Sequence, residues 1–290
     1  MSSVLADFTG TFAAETPAWD GPVDGRILLG KGQLVLAAGD DDTVRIPLDS
    51  VFDVSVGSTP SFFDPMPGTP VTVAYRERDN RLAVAVAADE GTIEKFVTVL
   101  YKAMLNGTDV TLKHPAKVGG RVTDAEFKGG LLSLQTGAVE FDTDEGPVTI
   151  PLDSVIDFDR VERAVDGTTR PVLVVSHMDG GTALTTLAAI DSNRKLSILG
   201  RYLRRVYQRV IDSLSQLSLS EAETEALATI YSTGDMDVSL SSVLDTEPKQ
   251  VKRLLHALHE KGLIESKDGG PVLTAKGQIV VTHYLERVNT

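Results

Sequence analysis

The segment "DTVRIPLDSVFDV" spans Asp42 to Val54, and "GPVTIPLDSVIDF" spans Gly146 to Phe158, so IPLDSV occurs twice, 104 residues apart. The flanks decide whether this is chance. Gly25-Arg26 and Gly32-Gln33-Leu34-Val35-Leu36 precede the first copy; Gly120-Arg121 and Gly130-Leu131-Leu132-Ser133-Leu134 precede the second. Pro70-Val71-Thr72-Val73-Ala74 follows the first copy, and Pro171-Val172-Leu173-Val174-Val175 the second. The offset runs 95, 98, 104, 101 while the order is kept, as loop-length changes between two related domains would produce. The chain therefore carries an internal duplication, and such self-similarity governs the reading of the whole fold.

Within the first copy Val44, Ile46, Leu48, Phe52, Val54 and Val56 share one parity; Val148, Ile150, Leu152, Ile156 and Phe158 do so in the second. Period-two alternation predicts strands with one buried face. Pro47 and Pro151 remove a ladder donor and mark an edge or a break. Asp49 and Asp153 then fall where a short polar side chain helps a turn. A pair of catalytic carboxylates is the competing reading, but these are equivalent corners of separate domains and are not expected to meet. IPLDSV thus reads as strand, kink, second strand.

Seven strands are expected in the first repeat, near residues 4–12, 24–30, 32–37, 43–47, 51–57, 70–77 and 81–87. A helix follows in "EGTIEKFVTVLYKAML", with Ile93, Phe96, Val97, Leu100 and Met104 at helical spacing. The second repeat ends alike: strands near 171–178 and 182–189, then "DSNRKLSILGRYLRRVYQRVIDSL" with a Leu196, Leu199, Leu203, Val206, Val210 stripe and Asp191 as N-cap. Seven strands closed by one helix resembles the pleckstrin-homology superfold. The expectation is an α+β chain: two tandem pleckstrin-homology-like β-barrel/sandwich domains, 1–107 and 108–215, each closed by a helix. The intervening "LNGTDVTLKHPAKVGG" has no long flexible tract, so the first helix should hand directly to the next strand.

Residues 216–290 read differently. Ser220 to Glu223 is a capping box opening a helix to about Ser232. A short helix near 239–244 and a Pro248-initiated helix follow, the latter with Val251, Leu254, Leu255 and Leu258 inward and Gly262 at its end. A hairpin turning at Asp268-Gly269 and a helix from about Lys276 to Arg287 complete a winged-helix pattern.

Composition narrows the function. With 290 residues, 42% apolar, the chain can hold two or three domains. It has no cysteine, which excludes disulfides, thiol catalysis and cysteine metal sites. The N-terminus lacks the basic start of a signal peptide. The longest charge-free run is 11 residues, against about 20 for a membrane span. Net charge is −13, Asp outnumbers Glu 26 to 15, and Arg outnumbers Lys 16 to 12. Such an acidic, Asp-rich, Lys-poor surface suits high salt; an ordinary acidic cytosolic protein is the plainer reading. Residues 1–107 carry −7, 108–215 carry −2 and 216–290 carry −4, so none is a basic domain of the nucleic-acid kind.

The first loop, "AAETPAWDGP", has no Lys or Arg, and "KHPAKVGGR" supplies only Lys113, Lys117 and Arg121; specific phospholipid binding is not expected. The candidate interaction face of the winged helix holds Lys249, Lys252, Arg253 and His256. Glu247 and Glu260 share that helix, and the wing adds only Lys267. DNA affinity rests on phosphate neutralisation, so this face points to protein rather than DNA. His256 and His259 lie at i, i+3 with no third ligand nearby, which reads as a helix surface rather than a metal site. No glycine-rich phosphate loop, nucleophile elbow or metalloprotease motif occurs; no enzyme activity, cofactor or small-molecule substrate is expected. The densest basic cluster is Arg194, Arg201, Arg204, Arg205 and Arg209. Arg194, Arg201, Arg205 and Arg209, spaced 7, 4 and 4, line one helix face with Arg204 beside them, fit either for a partner's acidic surface or for plain solvation.

Several stretches, taken in order, resemble the archaeal taxis protein family CheF: "VLADFTGTF" at 4–12, "GRILLGKGQLVL" at 25–36, both IPLDSV segments, and "SLSEAETEALATIYSTG" before the winged helix. The resemblance covers essentially the whole chain. It implies a non-enzymatic adaptor between the response regulator CheY, in its phosphorylated form, and the cytoplasmic switch proteins of the archaellum motor. It implies a cytoplasmic location with recruitment to the archaellum base; the salt-adapted composition would place the chain in a halophilic archaeon. A transcription regulator with two sensor-like domains is the alternative reading.

Overall fold

The computed structural model describes residues 4–15, 19, 21–39, 42–63, 65–233, 240–244, 246–267 and 270–288. Residues 16–18 and 20 of the first loop, residue 239 of the short helix and the Asp268-Gly269 turn lie outside them. The fold is mixed α and β, with six α-helices and mostly antiparallel sheets among the described residues.

The first repeat forms β1 (Val4–Ala14), β2 (Val23–Gly30), β3 (Gln33–Ala37), β4 (Thr43–Pro47), β5 (Val51–Val56), β6 (Val71–Glu77) and β7 (Asn80–Ala87), then α1 (Glu90–Leu105). Its sheet runs β4-β3-β2-β1-β7-β6-β5. The second repeat forms β8 (Thr108–Val118), β9 (Arg121–Val122), β10 (Lys128–Gln135), β11 (Ala138–Thr143), β12 (Gly146–Pro151), β13 (Val155–Val165), β14 (Thr168–Asp179) and β15 (Thr182–Ala189), then α2 (Asn193–Ser215). Its order, β12-β11-β10-β8-β15-β14-β13, is the same with β9 added against β8. Neither sheet closes: β4 and β5, or β12 and β13, end the order, which corrects the barrel expectation to open sheets. The reason lies in IPLDSV. Pro47 and Pro151 are the last residues of β4 and β12, and a three-residue turn then sends the chain to the opposite edge of the sheet.

That turn is built alike twice. Leu48 N donates to Gly32 O and Leu152 N to Gly137 O, at 2.9 and 2.8 Å. The hydroxyls of Ser50 and Ser154 donate to Pro47 O and Pro151 O, each at 2.7 Å. The turn bond expected of Asp49 and Asp153 thus comes from the serine one place later. A hydroxyl can donate to a carbonyl, which an ionised carboxylate cannot.

The C-terminal segment comprises α3 (Glu221–Thr233), α4 (Leu240–Val243), α5 (Pro248–Glu260), β16 (Ile264–Lys267), β17 (Gly270–Leu273) and α6 (Ala275–Val288). Leu227, Leu258 and Leu263, all fully buried, centre its core. The capping box is present: Ser220 N donates to Glu223 Oε2 at 2.8 Å, and Glu223 N to Ser220 Oγ at 3.2 Å.

The chain groups into two compact units: residues 1–110 with 131–134 and 190–202, and residues 111–130 with 135–189 and 203–290. In the first, Phe96 of α1 meets Phe8 of β1 edge-on at 5.3 Å, over a core that includes Phe12, Ile27, Leu29 and Leu100. Asn106 ends α1, and Gly107 turns at φ +73 to start β8; its N–H donates to Leu132 O at 2.9 Å. In the second unit the C-terminal helices share a unit with β11 to β15, and α6 packs on β13.

Candidate protein-interaction surfaces

The arginines of α2 do not form one free face. The helix starts at Asn193, and Ser192, not Asp191, caps it: Lys195 N donates to Ser192 Oγ at 3.3 Å. Arg194 turns inward, its Nη1 donating to Leu48 O at 3.1 Å and Val51 O at 2.8 Å. These carbonyls belong to the first IPLDSV turn, where the break after Pro47 leaves acceptors that a buried chain must satisfy. Two turns on, Arg201 grips Asp53 with two bonds, Nε to Oδ1 at 3.0 Å and Nη2 to Oδ2 at 3.1 Å, the paired geometry that favours arginine over lysine. Leu196, Leu199 and Tyr202 of the same stretch are buried, and the Tyr202 ring lies 5.2 Å from Tyr101. Arg204 and Arg209 are exposed, while Arg205 is half-buried; Arg205 and Arg209 each have a further interaction within the protein.

On α5 the four candidates Lys249, Lys252, Arg253 and His256 are all exposed, opposite buried Val251 and Leu258. His256 Nε2 lies 4.0 Å from Glu260 Oε1, across solvent. Among the described residues no three His, Asp or Glu side chains gather as metal ligands. The strong polar contact here is one that helical periodicity did not reveal. Lys261, just past α5, donates to Glu223 Oε1 at 2.6 Å and to Ser218 O at 2.9 Å. Glu223 is 7% exposed. The Lys261 ammonium, followed by the Ser220 N–H, holds its carboxyl below the usual glutamate range.

A second buried polar cluster pins β8, β14 and β15. Thr186 Oγ1 lies 2.8 Å from His114 Nδ1 and 3.1 Å from His177 Nε2, and the two rings stack at 5.8 Å. The hydroxyl has one proton, so it donates to one imidazole and accepts from the other, provided both are neutral. His177 Nδ1 is buried with no hydrogen-bond partner among the described residues. Burial first, then the neighbouring His114, lowers the His177 pKa to about 4; Asp179 pulls the other way. Strands near 171–178 and 182–189 and a strand following the first helix are expected from the sequence, but not that two histidines from different strands share one threonine.

The family model described as Archaeal Chemotaxis signal transduction system protein F matches residues 4–209. Taxis protein CheF2 of Halobacterium salinarum is 38% identical over 287 residues, covering 99% of both chains. Taxis protein CheF1 of the same organism is 29% identical over 243 residues, covering 83% of this chain and 80% of that one. With the family model spanning both repeats and a relative aligned end to end, the chain belongs to the CheF family of archaeal chemotaxis signal transduction proteins.

Proposed function

We propose that this protein is a non-enzymatic adaptor of archaeal taxis, coupling the phosphorylated response regulator CheY to the cytoplasmic switch proteins of the archaellum motor. The observation that carries this reading is the end-to-end match to a taxis protein, which includes the C-terminal segment beyond the family model's residues 4–209. The twice-used strand order, each copy followed by a helix, supports tandem pleckstrin-homology-like domains at 1–107 and 108–215. The order α3, α4, α5, hairpin, α6 supports a winged helix at 216–290 that meets protein rather than DNA. Membership of a taxis family leaves the transcription-regulator alternative without support. No helix among the described residues is long and apolar enough to cross a membrane, which fits a cytoplasmic adaptor recruited to the archaellum base of a halophilic host.

Two surfaces are offered to these partners: the outer side of α2 at Arg204 and Arg209, and the α5 face of Lys249, Lys252, Arg253 and His256. Arg194 and Arg201 serve this function by placing α2, through Leu48, Val51 and Asp53. Calorimetry of the full chain with phosphorylated CheY, and separately with the switch proteins, tests the proposal. Arg204→Glu on α2 and Lys249→Glu with Arg253→Glu on α5 should each weaken one partner, at low and at molar salt. Molar salt leaves a Debye length of roughly 3 Å, so only direct contacts persist. Wild-type protein that binds neither partner would remove the adaptor reading. Unchanged affinity of a variant would remove its surface.

A further inference from the structure

The duplication lets one surface be compared with its counterpart in the other repeat. In the first, Val51 faces Tyr75 and Asp53 faces Ala74, so Phe52 is the extra residue of a β-bulge. In the second, Val155 faces His177 and Asp157 faces Ser176, leaving Ile156 at the same bulge. Both following hairpins turn in two residues. Arg76 faces Arg81 and Glu77 faces Asn80 around Arg78-Asp79; Met178 faces Ala183 and Asp179 faces Thr182 around Gly180-Gly181. Phe52, Arg76, Arg78, Asp79 and Arg81 therefore correspond to Ile156, Met178, Gly180, Gly181 and Ala183.

The second repeat uses this end to hold the C-terminal hairpin. A Cβ on Gly181 would lie 2.7 Å from Val272 Cβ, and one on Gly180 2.7 Å from Lys267 Nζ. Met178 and both glycines line a cavity of about 260 Å³ with Leu273, Thr274 and Lys276. Both glycines also turn at positive φ, +58 and +85, so the turn favours glycine there as well, and the lack of a Cβ lets the C-terminal hairpin rest on them.

The first repeat leaves the same end open and charged. Residues 76 to 81 are all exposed. The guanidinium carbons of Arg76 and Arg81 each lie 5.8 Å from the centroid of the Phe52 ring. These arginines are direct cross-strand neighbours, and like charges so placed weaken a ladder. Arg78 sits at φ +54, a region that non-glycine residues seldom enter. A bulge that re-aims an aromatic ring, two cations gathered over that ring and a strained third arginine coincide at one hairpin end. Such local conflicts concentrate where a sequence serves binding rather than folding.

We propose that the Phe52, Arg76, Arg81 cluster docks an acidic segment of a partner protein, through carboxylates placed between the two guanidiniums. The ring supports the guanidiniums and leaves N–H donors for carboxylate oxygens. A bound anion relieves the repulsion between the arginines. The occupant is a protein segment because the site is an open hairpin end with no enclosing walls, and its counterpart is covered by a polypeptide hairpin. It is not the C-terminal hairpin of a second copy: Arg78 and Asp79 stand where that hairpin needs glycines, and Lys267 would meet Arg78 with like charge.

Titration of the full-length protein with an Asp/Glu-rich peptide, followed at the arginine Nε–Hε resonances, tests this without CheY or any switch protein. A chain of net −13 repels such a peptide in general, so binding must be local. The peptide should move the Arg76 and Arg81 signals at low and at molar salt. Arg81→Gln should weaken it about tenfold, and Phe52→Leu should weaken it severalfold. Arg76→Met with Arg81→Ala, which installs the residues of the second repeat, should abolish binding while the melting temperature stays at or above that of the wild type, since the like-charge pair is gone. The proposal fails if the peptide moves neither signal, if inorganic phosphate binds the same signals equally well, or if the double variant binds like the wild type.

Discussion

His177 is buried to 3% exposure beside a second histidine and a single hydroxyl, and its charge state decides whether that arrangement holds. Its folded pKa is about 4 against 6.5 when unfolded. The neutral ring therefore stabilises the fold fully above pH 6.5, and the contribution is lost as pH falls from there towards 4, because only the unfolded chain takes up the proton. A gap of that size corresponds to about 3 kcal/mol at most. Denaturant unfolding between pH 7 and pH 4 should show this loss in the wild type and a flatter profile in His177→Leu. Equal slopes would mean that other groups govern the acid limb. Nothing in "VVSHMDG" announces this role. The alternating pattern puts His177 on the inward face, but its partner His114 lies 63 residues earlier, in β8. Patterns of period two record which face a residue takes, not which side chain it meets there. The same limit applies to Arg194, whose charge suggested a partner surface while its acceptors lie 143 and 146 residues away.

Elements were more legible than contacts. β4 was expected and found at residues 43–47, and α1 coincides with the quoted "EGTIEKFVTVLYKAML". Both have unambiguous periodicity and clear ends, at Pro47 and at Asp89, whose side chain caps the helix. The capping box at Ser220 was equally readable, but the chain of contacts from it was not. Glu223 serves as cap and ion-pair partner at once, tying α3 to the residue after α5. Replacing it by Ala removes both and leaves Lys261 without its carboxylate; a loss of about 2–4 kcal/mol is expected. Lys261→Met should cost less, because that side chain is more exposed, 27% against 10%. The double variant should fall short of the sum, since each single change already breaks the pair. Urea unfolding of the three variants measures this, and strict additivity would show that the pair is not coupled. The carboxyl is held below its ordinary value, so its contribution is present above pH 4.5 and disappears as pH falls through the folded pKa. That window lies at and below the acid end of the one set by His177.

At the scale of the molecule, duplication explains why one hexapeptide carries so much. Each IPLDSV turn carries the chain from one edge of an open sheet to the other, and the first also presents carbonyls to Arg194. What the repeats do not share is charge: −7 in residues 1–107 against −2 in 108–215. A net charge of −13 opposes compaction through self-repulsion. At about 0.1 M salt the Debye length is roughly 10 Å and this repulsion acts between neighbouring carboxylates; at about 1 M it is roughly 3 Å and little remains. The stabilising pairs are short enough to survive, with Arg201 and Asp53 at 3.0 Å and Lys261 and Glu223 at 2.6 Å. Added KCl therefore removes the unfavourable part and spares the favourable part, so the melting temperature should climb with KCl and then level off. Replacing exposed Asp109, Asp124 and Asp142 by Asn should raise the melting temperature at low salt and flatten its dependence on KCl, with little effect at molar KCl. If the triple variant keeps the wild-type slope, self-repulsion is not what limits the fold at low salt, and the acidic surface must then be explained by its interaction with water and ions.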